Sequence, residues 1–341
     1  MRRYQEVALK DGSVTAGQAT RIGAVLIVLV ALTFIADPYH LFQLTMVVTY
    51  ACAVLGLTIL TGINGQISLG HGAFFAVGSY ATAILMANLN WPYWATIPVA
   101  ALSSAVLGFL IGFPALRLGG LYLALTTFAL AVAVPQILKV NALEDLTGGV
   151  QGLTTDKPDA PFGLPLSSDQ WIYLFTLAVG SVVFLLGWNL TRGRIGRAMK
   201  AVRDHGVAAE SMGINLAAVK TRTFAVSAMF TGVAGALSTI AVQFVAPDSF
   251  SFPLSITLFV GLVVGGVDSI IGAIFGGAFI EFVPNIANDI SKAAPGAIYG
   301  LILIGFMFLM PRGVAGLLAA AGRKLTRQRS AHLVPPRPAD T

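Results

Sequence analysis

The feature that most constrains this chain is a series of ten apolar runs, at 22–36, 41–60, 68–87, 94–113, 120–138, 171–190, 223–244, 254–267, 269–287 and 296–311. A helix needs roughly 20 apolar residues to cross a bilayer, and most of these runs come close to that length. The first, eighth and tenth are shorter. Only Gly265-Gly266-Val267-Asp268 parts the eighth from the ninth. The expected fold is an all-α integral membrane protein of about ten transmembrane helices. Composition agrees: 56% of the residues are hydrophobic and 11% charged, against about 25% charged in soluble domains. So few charges could not clothe a soluble surface. The 37 glycines suit a membrane bundle, where small residues let helix backbones approach closely.

Charge sets the expected orientation, because basic residues gather on cytoplasmic loops. With the N-terminus inside, the inner segments are the arm 1–21, the loop carrying Arg117, the loop 192–222 and the tail. Of the 21 Lys and Arg residues, only Lys139, Lys157 and Lys292 fall elsewhere. An odd number of spans would break this agreement, so both termini are expected in the cytoplasm. The outer loop 141–170 is acidic, with Glu144, Asp145, Asp156, Asp159 and Asp169. The chain thus divides into an arm at 1–21, a membrane domain at 22–318 and a basic, disordered tail at 319–341. The net charge of +6 belongs to the inner membrane surface and calls for no nucleic acid. Polar residues up to Arg21 are followed by no small-residue cleavage site, so the first run is expected to stay as an anchor.

Several chemistries are excluded. One cysteine, Cys52, rules out disulfides, cysteine-based zinc sites and iron–sulfur clusters. His40, His71, His205 and His332 are scattered and show no metal-ligand spacing. No nucleophile–base pair stands out, so no catalytic residue is expected. A phosphate-binding loop of the form G-x-x-x-x-G-K-[ST] is absent. The chain is not expected to be an enzyme or to bind a cofactor itself, and energy must come from a partner or an ion gradient.

Three places carry candidate function. In the loop 192–222, Asp204 can cap a short helix from His205, Gly213 suits the left-handed residue that ends it, and Asn215 can cap the next run. The plain reading is a basic helix lying on anionic lipid. The sharper one is a docking element, because Ala201, Val202, Val207, Ala208, Ala209 and Met212 are small or apolar outside the membrane. Second, Thr61-Gly62-Ile63-Asn64-Gly65-Gln66-Ile67-Ser68-Leu69-Gly70-His71-Gly72 breaks the helical pattern. Such backbone at membrane depth must be buried in protein or line a cavity, and broken helices often form transport sites. Gly65, Gln66, Ser68, Gly70, His71 and Gly72 are therefore pathway candidates. The competing reading is a polar turn before a packing face, with His71 satisfied by a neighbouring helix. Third, Glu281 is an acid within a span, which usually faces a partner or an aqueous path.

The run Gly65-Gln66-Ile67-Ser68-Leu69-Gly70-His71-Gly72-Ala73-Phe74-Phe75-Ala76-Val77-Gly78 resembles the signature of branched-chain amino-acid ABC-transporter permeases of the LivM type. The likeness continues through Leu116-Arg117-Leu118-Gly119-Gly120-Leu121-Tyr122, Thr147-Gly148-Gly149-Val150, Ala208-Ala209-Glu210-Ser211-Met212-Gly213-Ile214, Pro247-Asp248-Ser249-Phe250 and Pro311-Arg312-Gly313. Asp268 departs from it, standing where the family often has glycine, and Asn285 follows Pro284 where glutamate is expected. The resemblance implies a permease subunit of an importer in the bacterial inner membrane. It would pair with a second homologous permease, and two ATPase subunits would use ATP and Mg beneath it. A periplasmic or lipid-anchored binding protein would deliver solute. Arg203, Ala208, Ala209, Glu210, Met212 and Gly213 would form the ATPase-coupling region, and Thr147, Gly148 and Gly149 would face the binding protein. Branched-chain amino acids lead as solute, with urea, amides or other small carboxylates as alternatives. A secondary transporter or channel working without ATP is the alternative from another class.

Overall fold

Helix α1 (Pro38–Leu57) starts where Asp37 takes extended backbone and Pro38 fills the first turn, a position with no intrahelical hydrogen bond to lose. The structure, a computed structural model, describes residues 23–24, 27–114, 120–292, 294–310, 312–318 and 320. The arm 1–21, Arg117 and all of the tail 319–341 except residue 320 lie outside them. Helix α1 runs on into a π-helical turn, Thr58–Ile63. Helices α2 (His71–Ala87), α3 (Tyr93–Gly112) and α4 (Leu121–Leu138) follow.

Helix α5 (Ser168–Arg192) opens on a reciprocal cap. The Gln170 N–H donates to Ser167 Oγ at 3.3 Å, and the Ser167 N–H donates to Gln170 Oε1 at 3.0 Å. Two short helices, α6 (Arg194–Asp204) and α7 (Gly206–Ser211), lead to α8 (Leu216–Val242). Asn215 caps α8 as expected, its Oδ1 accepting from the Ala218 N–H at 2.9 Å. Then come α9 (Phe252–Gly265), α10 (Ile270–Ile290) and α11 (Pro295–Leu309).

Among the described residues, eight helices are long and apolar enough to cross a membrane by length and composition: α1 with its π turn, α3, α4, α5, α8, α9 with the turn before it, α10, and α11 carried on to Leu318. Helix α2 is shorter, at 17 residues. The third run was expected to be helical from 68, but 64–70 is irregular and the helix begins only at His71. Residues 23–24 and 27–32 of the first run are helical, while 22, 25 and 26 lie outside the described residues.

One feature was not anticipated. Strand β1 (Leu153–Thr154) pairs antiparallel with β2 (Phe244–Val245), Leu153 opposite Val245 and Thr154 opposite Phe244. This ribbon ties the loop 141–170 to the end of α8. Helix α5 leads from that loop to the loop 192–222, so the two loops lie at opposite ends of the bundle.

Helix α8 sits at the centre, packed against α1, α2 and α3, and α10 packs on α1 and α9. The contacts are close because small residues meet. A Cβ on Gly78 of α2 would collide with the backbone of Gly232 on α8, and one on Gly276 of α10 would collide with Gly261 on α9. With lipid as apolar as the helices, this van der Waals fit drives their association. Helix α11 lies at the periphery and buries none of its residues.

Candidate functional site

Beyond the π turn the chain reverses at Gly65, whose φ of +75° suits glycine. In the irregular stretch 64–70, Asn64, Gln66, Ser68 and Gly70 are buried while Gly65 and Ile67 are exposed, and four of its amides find partners in the protein. Asn64 and Gln66 donate to the carbonyls of Ile59 and Leu60, at 3.2 and 3.1 Å. The Leu69 N–H donates to Thr127 Oγ1 of α4 at 2.9 Å. At the start of α2, the Gly72 N–H donates to Ser255 Oγ of α9, also at 2.9 Å. Gln66 Nε2 reaches the Lys220 carbonyl of α8 at 3.3 Å. Glycine is required on steric grounds as well: a Cβ on Gly70 would lie 2.7 Å from the Thr127 carbonyl oxygen, and one on Gly72 would lie 2.6 Å from Ser255 Oγ.

His71 is buried at the centre of a directional hydrogen-bond chain. Ser227 Oγ of α8 is 2.6 Å from the Gly56 carbonyl, which can only accept, so the hydroxyl proton points there. Ser227 Oγ must then accept from His71 Nε2, at 2.7 Å. The other ring nitrogen, Nδ1, accepts from Ser68 Oγ at 3.1 Å, and Ser68 Oγ accepts from the Gly70 N–H at 3.3 Å. This assigns the Nε2–H tautomer. Of the two readings of His71, a histidine satisfied by its neighbours is the one the geometry matches. Asn64 contrasts with it: the residue is 2% exposed, and neither side-chain amide atom finds a partner among the described residues.

At the basic end of the bundle, α6 buries Gly196, Met199 and Val202 and turns Arg194, Arg197 and Lys200 outward. The expectation for Asp204 is corrected. It does not cap a helix from His205, because it closes α6 and accepts from Arg203 Nε at 3.2 Å, and α7 starts at Gly206 without a side-chain cap. Gly213 ends the helix as anticipated, with φ +83°. Its N–H donates to the Glu210 carbonyl at 2.9 Å and the Ile214 N–H to the Ala209 carbonyl at 3.0 Å, the paired bonds of a Schellman ending. Val207 and Met212 are 74% and 86% exposed, and Ala208 and Glu210 are exposed beside them. Ala209 instead is buried and packs inward. An open cleft of about 480 Å³, lined by Glu210, Gly213, Asn215 and Lys220 among others, lies alongside.

Arg203 is exposed on α6 but folds back onto the bundle end. Its Nη1 donates to the Gly62 carbonyl at 2.7 Å and to Asp268. Burial works against its charge, but the hydrogen bonds and charges of Asp204 and Asp268 outweigh that and hold its pKa above the ordinary arginine value.

At the other end, Thr147, Gly148 and Gly149 shape their loop, with Thr147 and Gly149 buried and Gly148 half-buried. Thr147 is 2% exposed, and its hydroxyl is shared between the carbonyls of Leu138 and Leu143, at 2.8 and 2.9 Å. Gly149 is buried, and a Cβ on Gly148 would collide with the Gly152 carbonyl. The neighbouring Leu146 and Val150 are the exposed residues of this loop. Glu281 is half-buried on α10 and has no ion-pair partner among the described residues.

The sequence reading missed Thr127, Ser227 and Ser255, the hydroxyls that hold the break, and Gly56, whose carbonyl ends the histidine chain. Their one signal was a hydroxyl or a glycine inside an otherwise apolar run.

The sequence profile of the family described as "Branched-chain amino acid transport system / permease component" matches residues 39–310. The high-affinity branched-chain amino acid transport system permease protein LivM of Salmonella typhimurium is 32% identical over 328 residues, covering 89% of this chain and 76% of that protein. LivM of Escherichia coli is 31% identical over the same length and coverage. BraD of Pseudomonas aeruginosa, a permease protein of the same kind of system, is 25% identical over 307 residues, covering 82% of this chain and 96% of that protein. No solved structure matches the chain.

Proposed function

The chain belongs to the branched-chain amino acid transport permease family, and from that premise we propose that it is the membrane-spanning subunit of an ATP-driven importer of branched-chain amino acids in a bacterial inner membrane. It pairs with a second, homologous permease. Two ATPase subunits dock beneath the pair and consume ATP and Mg, one of them holding the loop 192–222 of this chain, and a solute-binding protein approaches the end that carries the loop 141–170. Both chain termini lie on the ATPase side.

The observation that carries this reading is α7. It stands outside the bundle at its most basic end, exposes Val207 and Met212, and is closed by a rigid glycine ending beside an open cleft. Exposed apolar side chains on a short, well-formed helix fit a protein groove. A basic loop on the cytoplasmic face accords with the charge rule for orientation. The branched-chain solute is supported by the names of the relatives.

The test is reconstitution. The chain, purified with its partner permease, should bring ATPase subunits with it, and solute-loaded binding protein should stimulate hydrolysis together with uptake of a branched-chain amino acid. If the chain moves solute alone, without any ATPase, the secondary-transporter or channel reading takes its place.

A further inference from the structure

Arg203 lies four residues before the exposed Val207, and its guanidinium folds back to join two other elements to its own helix. It leaves from α6. Its Nη1 bonds the Gly62 carbonyl, in the π turn that ends α1, and also Asp268, in the hairpin between α9 and α10. The last carbonyls of a helix have no intrahelical donor, and a cation there also meets the negative end of the helix dipole. Arg203 supplies both to a helix of 26 residues, Pro38–Ile63.

The packing around it leaves little slack. A Cβ on Gly62 would collide with the Val267 carbonyl, so the end of α1 and the hairpin meet backbone to backbone. A Cβ on Gly65 would lie 2.7 Å from Arg203 Cγ. Two residues beyond Gly62, Asn64 buries a side-chain amide that no group among the described residues satisfies. A buried polar group without a partner marks a segment short of its best hydrogen bonding, as an element with a second arrangement would be. The same stretch leads directly to Gly70, His71 and Gly72.

We propose that Arg203 is the positioning residue that transmits movement of α6 and α7 to the membrane domain, by holding the Gly62 carbonyl of the broken helix and Asp268 of the α9–α10 hairpin together. This rests on the reading that α7 docks an ATPase. The short link at His205 joins α6 to α7, so displacement of the docking face carries Arg203 with it. The guanidinium fork then pulls on two segments that approach from different helices. Asp268 makes the second arm, at the position where the family resemblance led one to expect glycine.

The experiment uses the assembled transporter in membranes, with solute taken up per ATP hydrolysed as readout. Arg203→Gln should retain the ATPase subunits through co-purification, because the docking face is Val207, Ala208 and Met212, while solute moved per ATP falls about tenfold, within the usual range of coupling between sites. Arg203→Lys should restore only part of the ratio, since a single ammonium lacks the planar fork. An unchanged ratio in Arg203→Gln overturns the proposal. Should that variant fail to assemble, Asp268→Asn decides: its side chain is mostly exposed, and a ratio equal to that of the unaltered protein overturns the two-armed link, whereas a loss supports it. If the unaltered chain brings down no ATPase at all, the functional reading itself is wrong and takes this proposal with it.

Discussion

His71 Nε2 lies 2.7 Å from Ser227 Oγ, although 156 residues separate them in the chain. Because the Ser227 hydroxyl proton is committed to the Gly56 carbonyl at 2.6 Å, the imidazole is the donor. This one contact binds the start of α2 to α8 and, through Gly56, to α1. It joins the three elements at the level where the chain re-enters the bundle.

Ser227→Ala would leave the His71 N–H and the Gly56 carbonyl without their partner in a dry site. Losing a buried hydrogen-bond partner costs about 1–3 kcal/mol. The expected outcome is a lower thermal midpoint of the purified protein in detergent. A midpoint equal to that of the unaltered protein would show that the relay contributes nothing to stability.

Gly70→Leu and Gly72→Leu should each abolish uptake while ATPase subunits still co-purify. Even a Cβ is too close at both positions, to the Thr127 carbonyl and to Ser255 Oγ, and the remaining leucine atoms would force α4 or α9 aside. Overpacking of this kind costs about 1–3 kcal/mol. The measurement is solute uptake beside a pull-down of the ATPases. Normal uptake by both variants would mean that this junction does not constrain the pathway.

Gly213→Val tests backbone conformation apart from packing. No atom lies within 4 Å of a Cβ built there, so the whole penalty arises from φ +83°. A non-glycine residue held there costs of order 1–3 kcal/mol, and most for a β-branched one. The variant should weaken ATPase co-purification or uncouple hydrolysis from uptake, leaving delivery of solute at the opposite face intact. Gly213→Asn should be far milder, because asparagine tolerates the left-handed region. Equal behaviour of the two variants would rule out strain as the cause.

A reporter fused after Gly206 should behave as cytoplasmic and one inserted in the 155–162 loop as external. Helix α5 separates the two loops, and the basic residues favour the first side. Reporters that agree on one side would contradict the orientation.

Part of the site was legible because its chemistry is local. Asn215 and Gly213 act within a few residues of themselves, as a helix start and a helix end, and their types alone suggested both roles. Asp204 was misread by the same logic: it is a good capping residue, but the adjacent Arg203 competed for it and α6 ran on to include it. For Thr147, Gly148 and Gly149 the family resemblance implied a loop that faces a binding protein. Whether such residues face outward depends on how the loop folds back on Leu138 and Leu143.

The sequence by itself determined that this chain lives in a membrane as a helical bundle, because hydropathy and helix length are summed along the chain and need no partner. It also determined the family and the place where a helix breaks, since glycines and polar residues crowd 61–72. Only the tertiary structure decided what fills that break. The partner that satisfies His71 is Ser227 on α8, 156 residues away. The partners of Arg203 on its own chain were likewise invisible in the sequence, because the Gly62 carbonyl and Asp268, far off along the chain, come within its reach only in the fold. A donor takes whichever acceptor the packed helices bring to it, and helix packing is settled by contacts between small residues that are distant in sequence.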